Sequence, residues 1–128
     1  MPLQPTDLIE VRRSQGRGRG VFARQFIAAG TIIERAPMLV FPGKEIHIDG
    51  QPTTLYHYCF EWGQKTVAIA LGYGSIYNHS YSPNARYDDI TQRTKVFSAI
   101  QDIQLGEEIT INYNGDPDNN SPMEFDVL

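Results

Sequence analysis

The 128-residue sequence has one cysteine, Cys59, and no long apolar segment. One cysteine cannot form an internal disulfide or supply a multi-cysteine zinc site. No apolar run approaches the roughly 20 residues of a membrane-spanning helix. The first residues also lack the basic and apolar regions of a signal peptide. These absences predict a protein without metal or membrane span that is not secreted and needs no oxidising compartment.

Positive charge is also scarce. The chain has 11 Lys and Arg against 15 Asp and Glu, which gives a net charge of −4. This balance argues against general binding to nucleic-acid backbones, and it is compatible with a basic protein partner. Solubility alone explains the charge equally well. Among the possible functions, binding of nucleic acid by the arginine-rich stretch at residues 12–24 is therefore the least favoured.

Helical patterns are poor, whereas turn signals divide the chain into short apolar runs. The length predicts one domain over residues 1–128, with an irregular polar tail over 115–128. Strands and long helices do not alternate, which argues against a doubly wound nucleotide-binding fold. A short helical turn is expected at Gly74–Asn78. The predicted strands are Ile9–Arg12, Gly20–Ala23, Ile32–Ala36, Leu39–Phe41, Tyr56–Trp62, Val67–Ala70, Ala85–Tyr87, Lys95–Ala99 and Ile109–Asn112.

Two sequence patterns refine this picture. In the last predicted strand, Ile109, Ile111 and Tyr113 alternate with polar residues, which predicts a half-buried strand with these three on one face. A weak internal echo also relates the segment before Gly30 to the segment before Gly106. It predicts two related hairpins, although two copies with unequal spacing also fit coincidence.

Three segments are candidates for function. The glycines of residues 16–20 would let the backbone approach a ligand closely, although a hairpin loop with solvated arginines explains them as well. Residues 78–84 concentrate Asn, His and Ser, yet His79 has no ligand spacing to other histidines and forms no evident triad. Tyr113 lies at a strand end, where functional residues often emerge from a rigid scaffold. Alone, none of these is specific.

Together the motifs resemble the SET domain of protein lysine methyltransferases, in its minimal stand-alone bacterial or viral form. The motifs are Gly18-Arg19-Gly20-Val21-Phe22-Ala23, Asn78-His79-Ser80-Tyr81-Ser82-Pro83-Asn84 and Gly106-Glu107-Glu108-Ile109-Thr110-Ile111-Asn112-Tyr113. They occur in order, and the similarity covers about residues 8–114. The resemblance implies a mainly β, β-clip-like fold of small, mostly antiparallel sheets, with a C-terminal pseudoknot formed by threading of the last motif.

The resemblance also implies a ligand and a set of roles. The methyl donor would be S-adenosylmethionine, and no metal is implied. Tyr113 would be the catalytic tyrosine and would also touch the donor. Tyr58, Tyr87 and Tyr113 would line the channel for the substrate lysine, whose crowding by hydroxyls favours monomethylation. The expected donor-binding residues are Arg17, Gly18, Arg19, Gly20, Asn78, His79, Tyr113 and Phe125, the last as an aromatic cap from the tail.

The implied partner is a protein with an accessible lysine, such as a histone or another basic protein. Many relatives close the channel with a cysteine-bound zinc cluster after the last motif, which this chain lacks. The insert between Pro42 and Gln64 is short, which makes a homodimer plausible. The rival interpretation is an inactive SET-like module that binds basic peptides. We expect a cytoplasmic protein if the source is bacterial, and a nuclear or chromatin-associated one if it is eukaryotic or viral.

Overall fold

A computed structural model describes residues 6–123. Its regular structure is mostly β, with two short 3₁₀ turns at Gly43–Ile46 and Thr54–Tyr58. No helix within the described residues is long and apolar enough to span a membrane. The strands found there are β1 Ile9–Ser14, β2 Gly18–Ala23, β3 Ile32–Pro42, β4 His47–Ile48, β5 Gln51–Pro52, β6 Phe60–Glu61, β7 Thr66–Ala70, β8 Asn78–His79, β9 Ala85–Ile90, β10 Thr94–Ala99 and β11 Glu108–Ile111.

The strands form three small sheets. One sheet has the order β1-β2-β11-β8, a second has the order β6-β7-β3-β10-β9, and β4 pairs with β5. The pairing is antiparallel except between β8 and β11, where Asn78 lies beside Thr110 and His79 beside Ile111. The predicted mainly β fold of small, mostly antiparallel sheets is confirmed. The C-terminal pseudoknot and the division into core and tail stay predictions.

The apolar core draws on both larger sheets. Val21, Ile109 and Ile111 come from the four-stranded sheet and are completely buried. Ile33 and Phe97 come from the five-stranded sheet and are also buried in the same cluster. Because the strands of the first and third sequence motifs contribute to one core, and β8 of the second motif pairs with β11, the three motifs are held rigidly relative to one another.

Several predicted boundaries were wrong. The strands expected at Ile32–Ala36 and Leu39–Phe41 are one strand, β3, which pairs with β10 as far as Pro37 and with β7 from Met38 onwards. The first three residues of the strand expected at Tyr56–Trp62 belong to a 3₁₀ turn, closed by Tyr56 N–H donating to Thr53 O and Cys59 N–H to Tyr56 O, and only Phe60–Glu61 form a strand. Aromatic content favoured a strand there, but these local bonds determine the turn.

The motif segment also differs from expectation. Turns occupy residues 71–76, and β8 replaces the end of the helical turn expected at Gly74–Asn78. The pairing with β11, a long-range contact, keeps residues 78–79 extended. In the last strand, Ile109 and Ile111 are buried as predicted, but Tyr113 is 38% exposed and Asn112 is 2% exposed. The alternation stops because β11 ends at Ile111, after which Asn112 Nδ2 donates to Pro117 O and Asn119 O.

The two related hairpins predicted from the internal echo were wrong, because β2 pairs with β1 and β11, whereas β10 pairs with β3 and β9. The loops that follow β2 and β10 lie side by side instead. Ile27 and Ile103 exchange backbone hydrogen bonds of 2.9 and 2.8 Å across an isolated bridge. Gly30 N–H donates to Ala99 O, and Gly106 N–H donates to Ala23 O, each at 2.8 Å. Both glycines have positive φ, 86° and 84°. The two segments therefore pack against each other with matching geometry, which fixes the turn that leads into β11.

Candidate active site

Tyr113 is anchored at three points just beyond β11. Its hydroxyl donates to Tyr77 O at 2.6 Å, and its backbone N–H donates to His79 Nδ1 at 2.9 Å. Its carbonyl accepts a 3.2 Å hydrogen bond from the Tyr87 hydroxyl. Burial raises the pKa of Tyr113 to about 12, against a lowering effect of Arg17. The phenol therefore stays protonated at neutral pH and has a fixed direction.

His79 is a buried histidine that holds this backbone. Because Nδ1 accepts the Tyr113 N–H, the neutral ring carries its proton on Nε2. The ring packs edge-on against Tyr81, with 4.6 Å between centroids, and lies 5.2 Å from the Tyr113 ring. Burial lowers the pKa of His79, and nearby Arg17 lowers it further. The neutral form, which the hydrogen bond requires, is thus the stable one.

Asn78 ties the second motif to the first and the third. Its Nδ2 donates to Arg19 O at 2.9 Å and to Glu108 Oε2 at 2.7 Å. The other oxygen of Glu108 accepts a 2.7 Å hydrogen bond from the Ser14 hydroxyl. A Cβ at Gly20 would overlap Glu108 Oε2 and lie 2.8 Å from Asn78 Nδ2. Only glycine fits at position 20, so this junction depends on the motif.

The glycine-arginine segment starts at the turn between β1 and β2. Gly18 has a φ of +76°, a left-handed conformation that favours glycine. Arg17 turns back towards the second motif, where its Nη1 donates to His79 O at 3.3 Å. Arg19 is exposed, and its carbonyl accepts the Asn78 bond. The structure therefore brings Arg17–Gly20, Asn78, His79 and Tyr113 together through hydrogen bonds and close packing.

Asn84 of the second motif has a structural task. Its Nδ2 donates to Glu108 O at 2.8 Å and to Glu107 Oε2 at 3.0 Å, and its Oδ1 accepts from Thr110 N–H at 2.9 Å. The residue is 4% exposed. It fixes the loop after β8 to β11, so the spacing of the motif is needed to align Asn78 and His79 with the strand that leads to Tyr113.

A cavity of about 490 Å³ opens beside Tyr113. All three residues predicted for the lysine channel, Tyr58, Tyr87 and Tyr113, lie on its wall. Apart from Tyr113, none of the described residues predicted to bind the donor lines it. Burial raises the pKa of Tyr87 to about 12, helped by Asp89 and Glu61. The remaining lining residues are His57, Cys59, Phe60, Glu61, Gly74, Ser75, Tyr77, Asp89, Lys95 and Asn114.

Sequence reasoning missed Tyr77 and Glu34, which support the Tyr113 hydroxyl through a chain of hydrogen bonds. Tyr77, whose carbonyl accepts the Tyr113 hydroxyl, is 1% exposed and stacks on Phe97 with 4.4 Å between ring centroids. Its own hydroxyl donates to Glu34 Oε1 at 2.8 Å. Glu34 also accepts the Tyr73 N–H at 2.9 Å, and burial raises the pKa of its carboxyl. Glu34 in a strand gave no signal, because its partner is 43 residues away.

Other predicted features are located as follows. Phe125 lies outside the described residues. Within residues 6–123, no group of three or more His, Cys, Asp or Glu side chains is placed to hold a metal ion. The site therefore consists of the Tyr113 phenol, with the polar junction around Gly20 and Asn78 on one side and the aromatic cavity on the other. This arrangement can orient two ligands that meet at Tyr113.

Comparison with known proteins agrees with this geometry. The SET domain family matches residues 18–114. The chain is 35% identical over 106 residues to a Schizosaccharomyces pombe protein named histone-lysine N-methyltransferase, H3 lysine-37 specific, covering 82% of this chain and 72% of the relative. The crystal structure of a proposed histone methyltransferase from Plasmodium falciparum matches with a TM-score of 0.70 and 32% identity, covering 87% of this chain and 95% of that one.

The family match spans most of the chain and contains the motif residues that meet around Tyr113. The matched relatives are similar in sequence and in fold, and both are named for methyl transfer to histones. The chain therefore belongs to the SET-domain family and is a protein-lysine methyltransferase that uses S-adenosylmethionine as its methyl donor.

Proposed function

We propose that the chain methylates a lysine of a basic protein, with the donor on the polar side of Tyr113 and the lysine in the tyrosine-lined cavity. The observation that carries this proposal is the position of Tyr113. Its backbone is bound to His79 on one side, and its ring forms part of the cavity wall on the other. The residue thus belongs to both halves of the site.

The polar junction suits the amino-acid end and the adenine of the donor. Gly20 has no side chain and packs against the side-chain amide of Asn78, while Arg17 places a guanidinium beside His79 O. Donors and acceptors of this kind can hold a carboxylate and an amino group. Arg17, Gly18, Arg19, Gly20, Asn78 and His79 are the proposed contacts. When bound, the donor supplies a sulfonium methyl group.

The cavity would prepare the lysine for reaction. A free lysine has a pKa near 10.4, so roughly one in a few thousand is neutral at pH 7. Loss of water in the cavity walled by Tyr58, Tyr87 and Tyr113 would disfavour the ammonium form, and the positive sulfonium of the bound donor would disfavour it further, because like charges repel. The neutral amine attacks the methyl carbon, the carbon–sulfur bond breaks to leave a thioether, and the methylated nitrogen carries the charge. One proton leaves to solvent before attack.

Tyr113 would orient the reactants and not act as a base. Its pKa of about 12 leaves the phenol protonated at neutral pH, and its hydroxyl proton is donated to Tyr77 O. A hydroxyl oxygen can also act as an acceptor, and in the complex it would accept a hydrogen bond from the amine or contact the methyl group. In an in-line displacement, alignment of this kind accounts for a large part of the rate.

The nature of the partner is supported by charge and by relatives. The net charge of −4 favours basic proteins, and both relatives reported above are named for histones. We accordingly propose a histone or a similarly basic protein as substrate. We also propose a homodimer, in which the second subunit completes the substrate groove that the short insert leaves incomplete. Light scattering would test the dimer. A chromatin-associated location follows if the substrate is a histone, and fractionation of the source cells would test it.

The function is tested by separating donor binding from methyl transfer. Calorimetry with S-adenosylmethionine should show binding at one site per chain. Core histones incubated with the enzyme and labelled donor should take up label, whereas the same histones with acetylated lysines should not. Donor binding without label in any basic protein would favour the rival, an inactive module that binds basic peptides. Label on acetylated histones would exclude lysine as the acceptor.

A further inference from the structure

The chain has three lysines, at positions 44, 65 and 95, and their environments differ. Lys44 and Lys65 are exposed. Lys95 lies in β10 and is 1% exposed, although a lysine is almost never buried without a partner. Burial lowers the pKa of Lys95, and the hydrogen bond to Asp89 opposes this effect. A buried ammonium at the wall of the proposed lysine channel requires an explanation.

Lys95 is enclosed by three aromatic rings and one carboxylate. Its Nζ lies 2.6 Å from Asp89 Oδ1. The same nitrogen is 4.2 Å from the centroid of the Tyr87 ring, 4.3 Å from that of Phe60 and 5.7 Å from that of Trp62. These distances are within the range of cation–π attraction. We name Phe60, Trp62, Tyr87 and Asp89 the ammonium cage.

The ammonium cage brings together residues from β6 and β9, two strands that are not hydrogen-bonded to each other. Phe60 lies in β6 and Trp62 directly follows it, Tyr87 and Asp89 lie in β9, and Lys95 lies in β10. In the five-stranded sheet β6 and β9 are opposite edges. Phe60 nevertheless meets Tyr87 edge to face, with 5.3 Å between ring centroids. The ammonium lies close to rings from both edges, at the wall of the cavity.

Tyr87 connects the cage to the catalytic residue. One part of its ring faces the Lys95 ammonium, and its hydroxyl donates to Tyr113 O at 3.2 Å. A shift of the Tyr87 ring would therefore move a wall of the cavity and loosen the backbone of Tyr113 together. Charge alone is a weaker explanation, because Asp89 lies so close to Lys95 that the two charges largely cancel at a distance.

We propose that Lys95 is a positioning residue for methyl transfer, which holds Tyr87, and through it Tyr113, in the geometry that the reaction needs. The proposal deepens the function above and rests on it. Lys95 lines the cavity, but its proposed role requires no contact with the donor or the substrate amine. It acts through the Tyr87 ring. The other aromatic rings around the ammonium keep water away, so the contact between the ammonium and the Tyr87 ring persists.

The first test compares Lys95→Met, Lys95→Arg and the control Lys44→Met, which changes an exposed lysine outside the cavity. Lys95→Met keeps the chain length and removes the charge. It should lower kcat for histone methylation by about 10- to 100-fold, since small misplacements have effects of that size. KM for the donor should stay within about 2-fold, and Lys95→Arg should retain more activity than Lys95→Met. The control should match wild type.

A crystal structure of Lys95→Met gives a readout that does not need activity. The Tyr87 ring should be displaced, and its hydrogen bond to Tyr113 O should be broken. An unmoved Tyr87, or a displaced Tyr87 with unchanged kcat, would overturn the proposal. A loss of stability with full kcat per folded molecule would also overturn it, because Lys95 would then only support the fold.

A second variant serves if Lys95→Met does not fold. Asp89→Asn alters a half-exposed side chain and leaves Lys95 in place. Acetic anhydride should modify Lys44 and Lys65 of the wild type but not Lys95, and Asp89→Asn should expose Lys95 to the reagent and lower kcat about 3-fold or more. Rapid modification of wild-type Lys95 would refute the cage even if methylation occurs. A protected Lys95 in a protein that methylates nothing would instead refute the proposed function.

Discussion

The two regions that meet at Tyr113 are built in different ways. The polar region is held by hydrogen bonds, as in the link from Ser14 through Glu108 to Asn78. The aromatic region is held by rings and a buried ammonium, with Phe60 and Lys95 at its centre. Hydrogen bonds fix the distance between donor and acceptor within a few tenths of an ångström and also fix their direction. Ring packing fixes the shape of the cavity and excludes water. The first suits recognition of a donor, and the second suits an amine that must lose its proton.

This contrast predicts separable defects. Changes in the polar region should act on donor binding, and changes in the aromatic region should act on the transfer rate or on the product. Tyr113 belongs to both regions, yet its hydroxyl is directed at Tyr77 O under the cavity and its backbone is directed at His79. Removing only the hydroxyl should therefore affect chemistry alone.

The largest effect is expected for Tyr113→Phe. The variant keeps the backbone bond to His79 and loses the hydroxyl that fixes the ring, so the methyl group and the amine lose their alignment. We expect the transfer rate to labelled histones to fall by about 100-fold or more. Calorimetry should show a donor Kd within about 2-fold of wild type. Tyr56→Phe is the matched control, since Tyr56 is exposed and does not line this cavity. Equal labelling by wild type and Tyr113→Phe would remove the hydroxyl from the mechanism.

Asn78→Ala should produce the complementary defect. It removes the hydrogen bonds to Arg19 O and Glu108, so the free energy of unfolding should fall by about 1–3 kcal/mol. The donor Kd should rise about 10-fold or more, which corresponds to the loss of one or two such bonds. Asn120→Ala, at an exposed position, is the control. A variant with weaker stability and an unchanged donor Kd would place Asn78 in the scaffold and outside the donor site.

A smaller effect is expected at Tyr87, on product more than on rate. In Tyr87→Phe the hydroxyl bond to Tyr113 O is lost, which leaves more room around the amine while the ring still faces Lys95. If the wild type stops at monomethylation, the variant should form more di- and trimethyl product, and its kcat should fall only a few-fold. Mass spectrometry of a histone peptide measures this. Trimethyl product from the wild type would refute the expected monomethylation.

The sequence indicated which residues form the polar region, because the motifs that carry the family resemblance are short and local, and the structure brings them together. Their contacts with the donor stay predictions. A glycine at position 20 and an amide at position 78 are residues whose function depends on backbone approach and short hydrogen bonds, and their motifs can be identified in a linear sequence. The strands that carry them were also predicted, apart from β8. That two-residue strand exists only because it pairs with β11, about thirty residues away.

The aromatic region was predicted less well because it depends on packing between distant segments. Tyr58 and Tyr87 were assigned to the channel by family resemblance, and the structure places both on the cavity wall. Lys95 and Glu34 were missed, since a single charged residue in a strand normally faces solvent. Nothing in the linear sequence indicates that Phe60 and Asp89 enclose Lys95, or that Tyr77 pairs with Glu34.

The subtlest test of the contrast concerns His79, where the polar region responds to pH. Its pKa is lowered in the folded state below the ordinary 6.5, so the unfolded chain binds more protons as pH falls. The stability that His79 contributes is therefore present above about pH 6.5 and is lost as pH falls through the folded pKa.

In His79→Asn an amide oxygen can accept the Tyr113 N–H without titrating. Wild type should have a Tm a few degrees above that of His79→Asn at pH 8, and this difference should shrink towards pH 5. The control is His57→Gln, at an exposed position, which should follow wild type. A difference that stays constant with pH would mean that the hydrogen bond between His79 and Tyr113 does not depend on protonation.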